Sequence, residues 1–344
     1  MKKVSQHGMG TIDFLGFLMA DQRLSTAALQ PPVGLVVGSI YGMAAAVLYT
    51  AANTALRQNV GLDPFLVAAM KSLPTIVVLG PFVVWMRIHN QTIATSLNMI
   101  PWFALTALVT QVVGNGIFQF ALGSIGLAAT VPITLGALII GGAIFGRFIL
   151  GEPVRPRTLV AMFVLIAAVV VLSVPDAAVP ASELSVSATM TVLPVWGGVL
   201  CAASAGLSYG LFGVMLRKTM HSGVSAPGAM LVSGIVGAIA LWGTTFMRIE
   251  VSSLAMITNL EWLFLVLGGV FNLSAFIALS TSLKALPVVS VNLINASQVA
   301  MAAVVGVTLF GERITWPLLA GIILTFLGLV ILATGRGRRR DVPE

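Results

Sequence analysis

Lys71 is the residue whose type and position most directly imply chemistry. It stands seven residues into an apolar run, 64–86, and no other Lys, Arg, Asp or Glu lies well inside such a run. Burying an ammonium near the middle of a bilayer costs several kcal/mol, less when the side chain snorkels, so a deep lysine faces a cavity or a partner. On that reading Lys71 attracts an anionic or carboxylate-bearing small molecule. The competing reading is that it reaches the headgroups, since its helix ends only ~10 Å away at 1.5 Å per residue. Uncharged polar groups can complete a substrate site. Tyr49 and Asn53 share one helix face at a spacing of four, as do Asn115 and Gln119. Tyr209, Asn272 with Ser274, Asn292, Asn295 and Gln298 supply the same chemistry in the second half. Amides in lipid need hydrogen-bond partners, which a bound solute or a neighbouring helix can provide.

Other chemistries lack their residues. All eleven acidic side chains fall in tails, loops or helix ends, so the membrane carboxylate that exporters of cationic drugs use is missing. His7, His89 and His221 sit in tail or loop positions and form no intramembrane proton relay. Glu152 and Glu312 each precede a new helix, where capping its positive end is the expected role and proton coupling the alternative. The single cysteine, Cys201, excludes an internal disulfide and a multi-cysteine metal site. No metal-ligand spacing, Ser-His-Asp set or phosphate-cradling glycine loop is present, so no enzyme activity, metal or cofactor is expected.

The elements that must hold these residues are membrane helices. Hydrophobic residues make up 58% of the 344 and charged ones 8%, whereas soluble domains carry about a quarter charged residues. Apolar runs place crossings near 33–56, 64–86, 99–122, 125–147 and 155–174, then near 193–216, 226–247, 262–283, 285–310 and 314–334. They show no sustained in-out alternation, which disfavours a β-barrel. Residues 1–32 read as a cytoplasmic N-terminal tail, 175–192 as an extracytoplasmic linker and 335–344 as a basic cytoplasmic tail. With the N-terminus inside, the inner segments collect fourteen Lys and Arg and the outer ones three, Arg57, Arg248 and Arg313. That bias puts both termini in the cytoplasm. The cluster Arg336, Arg338, Arg339 and Arg340 fits a stop-transfer anchor beside anionic lipid better than a nucleic-acid contact. Gly38 with Gly42, Gly142 with Gly146 and Gly206 with Gly210 have the spacing for close helix packing. Pro74, Pro81, Pro132 and Pro287 can kink helices, and the six Trp residues near helix ends read as an aromatic belt.

The two halves repeat at a displacement of 160. It superposes Gly38 on Gly198, Tyr49 on Tyr209, Leu56-Arg57 on Leu216-Arg217, Met70 on Met230, Trp102 on Trp262 and Gly151-Glu152 on Gly311-Glu312. A constant register over five crossings argues for duplication. Five is odd, so the second copy is inverted, the arrangement of many alternating-access transporters. The fold class expected is therefore all-α integral membrane, with ten transmembrane helices as two inverted five-helix repeats, 33–174 and 193–334.

The segments Phe145 to Leu172 and Phe310 to Leu332, each an apolar helix, a Gly-Glu break and a second apolar helix, resemble the end of the EamA repeat of the drug/metabolite transporter superfamily. Lys71 in the second helix, an aromatic third helix and the turn Lys284, Ala285, Leu286, Pro287 also resemble that family. The chain differs in its extended N-terminal tail, its longer linker and Leu231 at the repeat mate of Lys71. The resemblance implies a central substrate cavity and export of small metabolites or drugs.

The function expected is secondary-active efflux of a small polar or anionic metabolite, an amino acid or other carboxylate, across the inner membrane. Multidrug efflux through a broad hydrophobic cavity is the runner-up, and a sensor or scaffold without transport a third reading. The partners expected are the small-molecule substrate and membrane lipids, with no nucleic acid. A monomer is the default state, and a dimer stays open.

Overall fold

In the computed structural model, residues 32–95, 97–151, 154, 156–172, 174, 193–286, 291, 294–295 and 297–333 are described. The expected N-terminal tail up to residue 31, the expected linker and C-terminal tail, Glu152 and the candidate residue Asn292 lie outside them, whereas Pro32 belongs to the first helix. Among the described residues the chain is helical, its one β-type pairing being an isolated bridge between Ala94 and Val224.

The helices start and stop where local chemistry dictates. Helix α1 spans Pro32–Gln58 and α2 spans Pro64–Ile88. Pro64 opens α2 behind Asp63, whose carboxylate accepts from the backbone N–H groups of Phe65 and Leu66 at 2.9 and 3.2 Å. Helix α3, Ile100–Val109, runs without interruption into a π-helical segment, Thr110–Ile117, and then into α4, Phe118–Leu150. Helix α5 is Pro156–Leu172, α6 is Val195–His221 and α7 is Ala226–Arg248. A short 3-10 turn, Val251–Met256, leads to α8, Asn259–Ala285, which opens on a capping box between Thr258 and Glu261. Helices α9, Ser297–Phe310, and α10, Trp316–Ala333, follow.

Among the described residues six helical stretches are long and apolar enough to cross a membrane, and α5, α9 and α10 are shorter apolar helices. One of the six, Ile100–Leu150, has 51 residues. Straight, it would measure ~76 Å, against about 30 Å of bilayer core. It is folded back at Gly126, the only non-helical residue inside α4, with φ of 75°. The sequence places a break between 122 and 125. In the structure it is one residue, because glycine adopts a left-handed φ without steric cost.

Helix α6 lies along both arms of this hairpin. Its Ser208 carbonyl accepts from Thr110 Oγ1 and its Ala202 carbonyl from Thr134 Oγ1, both at 3.2 Å. A Cβ at Gly198 would lie 2.7 Å from Ile125 Cγ2, and one at Gly210 would lie 2.6 Å from Gly142 N. Going from 198 to 210, α6 thus runs down the first arm, 125 to 110, and up the second, 134 to 142, so the arms are antiparallel. In the same manner α1 packs on α8, with a Cβ at Gly38 falling 2.7 Å from Ala285 Cβ. Helix α2 packs on α7, and α5 on α10.

Leu56, Val67, Met70, Phe118, Leu122, Leu127, Ala205, Leu265 and Ala302 form the central core, drawn from α1, α2, α4, α6, α8 and α9. Outside it, Val36, Ile40, Val77, Val84, Phe163 and Ile239 are exposed. Such an apolar exterior is the surface of an integral membrane protein.

Candidate functional site

Lys71 is carried on the second turn of α2, on the face that buries Val67, Ala68 and Met70. It is 6% exposed, and its ammonium donates to Asn115 Oδ1 at 2.7 Å. The side chain is thus directed into the bundle and does not reach for headgroups. The Phe118 ring, 5.9 Å from Nζ, lends its negative face. An ammonium carries three donors. The other two meet no acceptor, and no carboxylate pairs with Lys71, among the described residues.

The π-helical segment organises the rest of the cluster. Widening the helix by one residue per turn leaves backbone groups offset, a distortion that recurs at functional sites. Asn115 Nδ2 donates to Gln111 Oε1 at 2.6 Å, and Gln111 Nε2 donates to both the carbonyl and the hydroxyl oxygen of Ser233 on α7 at 3.1 Å. From α6 the Tyr209 hydroxyl lies 2.7 Å from the Gly114 carbonyl oxygen and 2.8 Å from Asn115 Oδ1, and shares its proton between them. A continuous polar chain therefore joins α2, the π-helix, α6 and α7 around one ammonium. Its components sit in low dielectric, where each satisfied bond strengthens the next and an unpaired one is costly.

Of the residues singled out from the sequence, Lys71, Asn115 and Tyr209 come together. Tyr49 is half-buried on α1. Gln119, one turn beyond Asn115, is 2% exposed, and neither atom of its amide finds a partner. Asn53 and Asn272 are half-buried and make no hydrogen bond among the described residues. Asn295, which precedes α9, and Gln298 on α9 form a separate pair, with Gln298 Nε2 donating to Asn295 Oδ1 at 3.4 Å.

Gln111 and Ser233 are the members that sequence reasoning misses. A spacing of four relates Asn115 to Gln111 as well as to Gln119, and the bond runs to Gln111. The aromatic belt is also only partly present. Trp102, Trp196 and Trp316 face outward, but Trp242 and Trp262 pack against the central core, and Trp242 Nε1 is buried without a partner.

Glu312 does not cap the helix that follows it, a task that Thr315 Oγ1 performs for the Leu318 N–H at 3.3 Å. It caps a helix of the other half. Its carboxylate accepts from the N–H groups of Leu127 at 2.6 Å and Ala128 at 2.9 Å, at the start of the second hairpin arm, and lies 3.6 Å from Arg57 Nε. At the same end of the bundle Arg248 of α7 donates to Asp63 at 2.8 Å. No His, Cys, Asp and Glu group able to hold a metal ion occurs among the described residues.

Residues 196–334 match the model of the EamA-like transporter family. No curated protein sequence matches the chain. Twenty-two chains of solved structures do. One of them, described as "Crystal structure of protein", superposes with a TM-score of 0.57 at 19% identity, over 89% of this chain and 99% of its own. At that identity the likeness bears on the fold alone.

Proposed function

We propose, from the match of residues 196–334 to the EamA-like transporter family, that this chain is a secondary-active exporter of a small polar or anionic metabolite, an amino acid or other carboxylate. Two inverted five-helix repeats, 33–174 and 193–334, alternate in exposing one cavity to either side of the inner membrane, with both termini in the cytoplasm. The hairpin Ile100–Leu150 counts as two crossings and the three shorter helices as one each, which makes ten.

The packing supports the repeat. Exchanging the halves maps the α2–α7 and α5–α10 contacts onto themselves, and maps α1 on α8 onto α6 on the first hairpin arm. The contact of Gly38 with Ala285 returns, shifted by 160, as that of Gly198 with Ile125. Inverted repeats of this kind give two near-equivalent conformations, each open to one side.

The observation that carries the substrate class is the Lys71 ammonium, buried with one amide acceptor and no counter-charge among the described residues. A buried, uncompensated charge is unfavourable, and an anionic solute relieves it. Asn115 and Tyr209 hold the amine in position, and Gln119 offers a free donor and acceptor. Multidrug efflux, which needs a greasy cavity and few directed contacts, fits this charged centre less well.

Transport by purified protein in proteoliposomes, on solutes chosen by metabolite profiling of cells with and without the gene, tests the reading. Lys71→Ala abolishes movement of the carboxylate substrate, and Lys71→Arg weakens it less. Undiminished transport by Lys71→Ala removes the amine from the mechanism.

A further inference from the structure

Glu312 ties its own half of the chain to the other half. Its two oxygens occupy the Leu127 and Ala128 N–H groups, where the free donors and partial positive charge of a helix start favour an anion. Two glycines make room for it. A Cβ at Gly126 would come 2.6 Å from Glu312 Cδ, and one at Gly306 would come within 3.0 Å of the same atom. The backbone is fixed as well, the Glu312 N–H donating to the Gly306 carbonyl at 3.0 Å. Arg57, at the end of α1, adds its charge at 3.6 Å, and its guanidinium carbon lies 5.5 Å above the Phe310 ring. The Arg57 and Glu312 side chains are only 12% and 14% exposed. Arg57 Nε and Nη1 find no hydrogen-bond acceptor, so Glu312 is their one source of compensation among the described residues.

The end of α9, the start of the second hairpin arm and the end of α1 therefore meet on one carboxylate. We infer that Glu312 is a latch that closes the bundle at the end which the Lys and Arg distribution assigns to the outside, so that this structure is the outward-closed state and release of the carboxylate is the opening step. The inference rests on the two halves moving against each other, as the transport reading requires. Leu127 and Val131 of the central core lie in the first turns of the arm that it caps. Unseating the carboxylate costs two charge-assisted hydrogen bonds and leaves Arg57 buried without a counter-charge. The closed state is thereby favoured until a bound solute or an inner-side rearrangement repays that loss.

Labelling of a single buried cysteine tests this without any substrate. In a Cys201→Ser background, Val131→Cys is placed on the arm that the latch caps, and right-side-out vesicles are exposed to a membrane-impermeant maleimide. Glu312→Gln is expected to raise the initial labelling rate about tenfold, in keeping with the loss of a charge-assisted bond. Gly126→Ala keeps the carboxylate but crowds its seat, and Arg57→Gln removes only the counter-charge; both accelerate labelling in the same direction, so the inference stays testable if Glu312→Gln fails to fold. Glu261→Gln removes a carboxylate from a helix start at the same end and leaves the rate unchanged. Reference rates in Glu312→Gln, Gly126→Ala and Arg57→Gln overturn the latch, as does equal acceleration in Glu261→Gln. Acceleration confined to inside-out vesicles overturns the side assigned to it. Acceleration as expected in a protein that moves no solute upholds the latch and removes the transport reading.

Discussion

At the scale of single residues, the centre of the molecule is governed by one hydrogen bond. Lys71 donates to Asn115 at 2.7 Å, and Asn115 is itself held by Gln111 and Tyr209. Asn115→Leu strips the ammonium of its acceptor and is expected to cost about 3 kcal/mol, the penalty for breaking a buried charged contact from one side. A fall in the temperature at which the detergent-solubilised protein loses monodispersity measures it. Asn115→Asp keeps an acceptor and supplies the missing negative charge, so the fold stays as heat-resistant as before while carboxylate transport drops by about tenfold or more. If both variants lose stability equally, charge compensation is not what the amide provides. Lys71 is legible in the sequence because an isolated charge in an apolar run is so costly that it demands an explanation. Its partners are not. Gln111 and Ser233 are ordinary polar residues until α7 is known to lie beside the π-helix.

At the scale of elements, helix ends are written locally and helix faces are not. Asp63-Pro64 starts α2, Thr258 with Glu261 starts α8, and Gly151 and Gly311, with φ of 70° and 62°, follow the last residues of α4 and α9. Each is a short-range device that the chain carries with it. The π-helical segment depends on groups far away in sequence, since Tyr209 and Lys71 bond to residues within it. No local pattern announces it. The glycine pairs are a middle case, for their spacing suggests close packing but only the partner decides which matter. Gly142 meets no side-chain obstacle of its own, yet its backbone N–H is what a Cβ at Gly210 would strike, with Leu138 O 2.7 Å from the same point. Gly210→Val should therefore force α6 off the hairpin at a cost of about 1–3 kcal/mol, whereas Gly213→Val, with open space before it, should be neutral. Heating the two variants side by side in detergent and following the folded fraction separates them; equal loss would show that the α6 contact is not close.

At the scale of the whole molecule, the bias of Lys and Arg fixes the orientation expected in the membrane. A reporter fused after residue 344 should be active only in the cytoplasm, and an epitope inserted between 175 and 192 should bind antibody on intact spheroplasts. Opposite placement of these two markers is required by five crossings per repeat, and finding both on one face would break the inverted arrangement. Composition marks the chain as a membrane protein because it is a sum over many residues, and the displacement of 160, a sum of the same kind, predicts a duplication that these two markers test. The tie between the halves through Glu312 was hidden, since the same glutamate looks from the sequence like a cap for its own next helix.

The reversal at Gly126 has a bearing on how the protein is made. One residue separates the arms 100–125 and 127–150, which leaves no slack for one to shift independently of the other. The pair is expected to enter lipid as a unit, and an insertion of several residues after Gly126 to lower the amount of folded protein recovered from membranes.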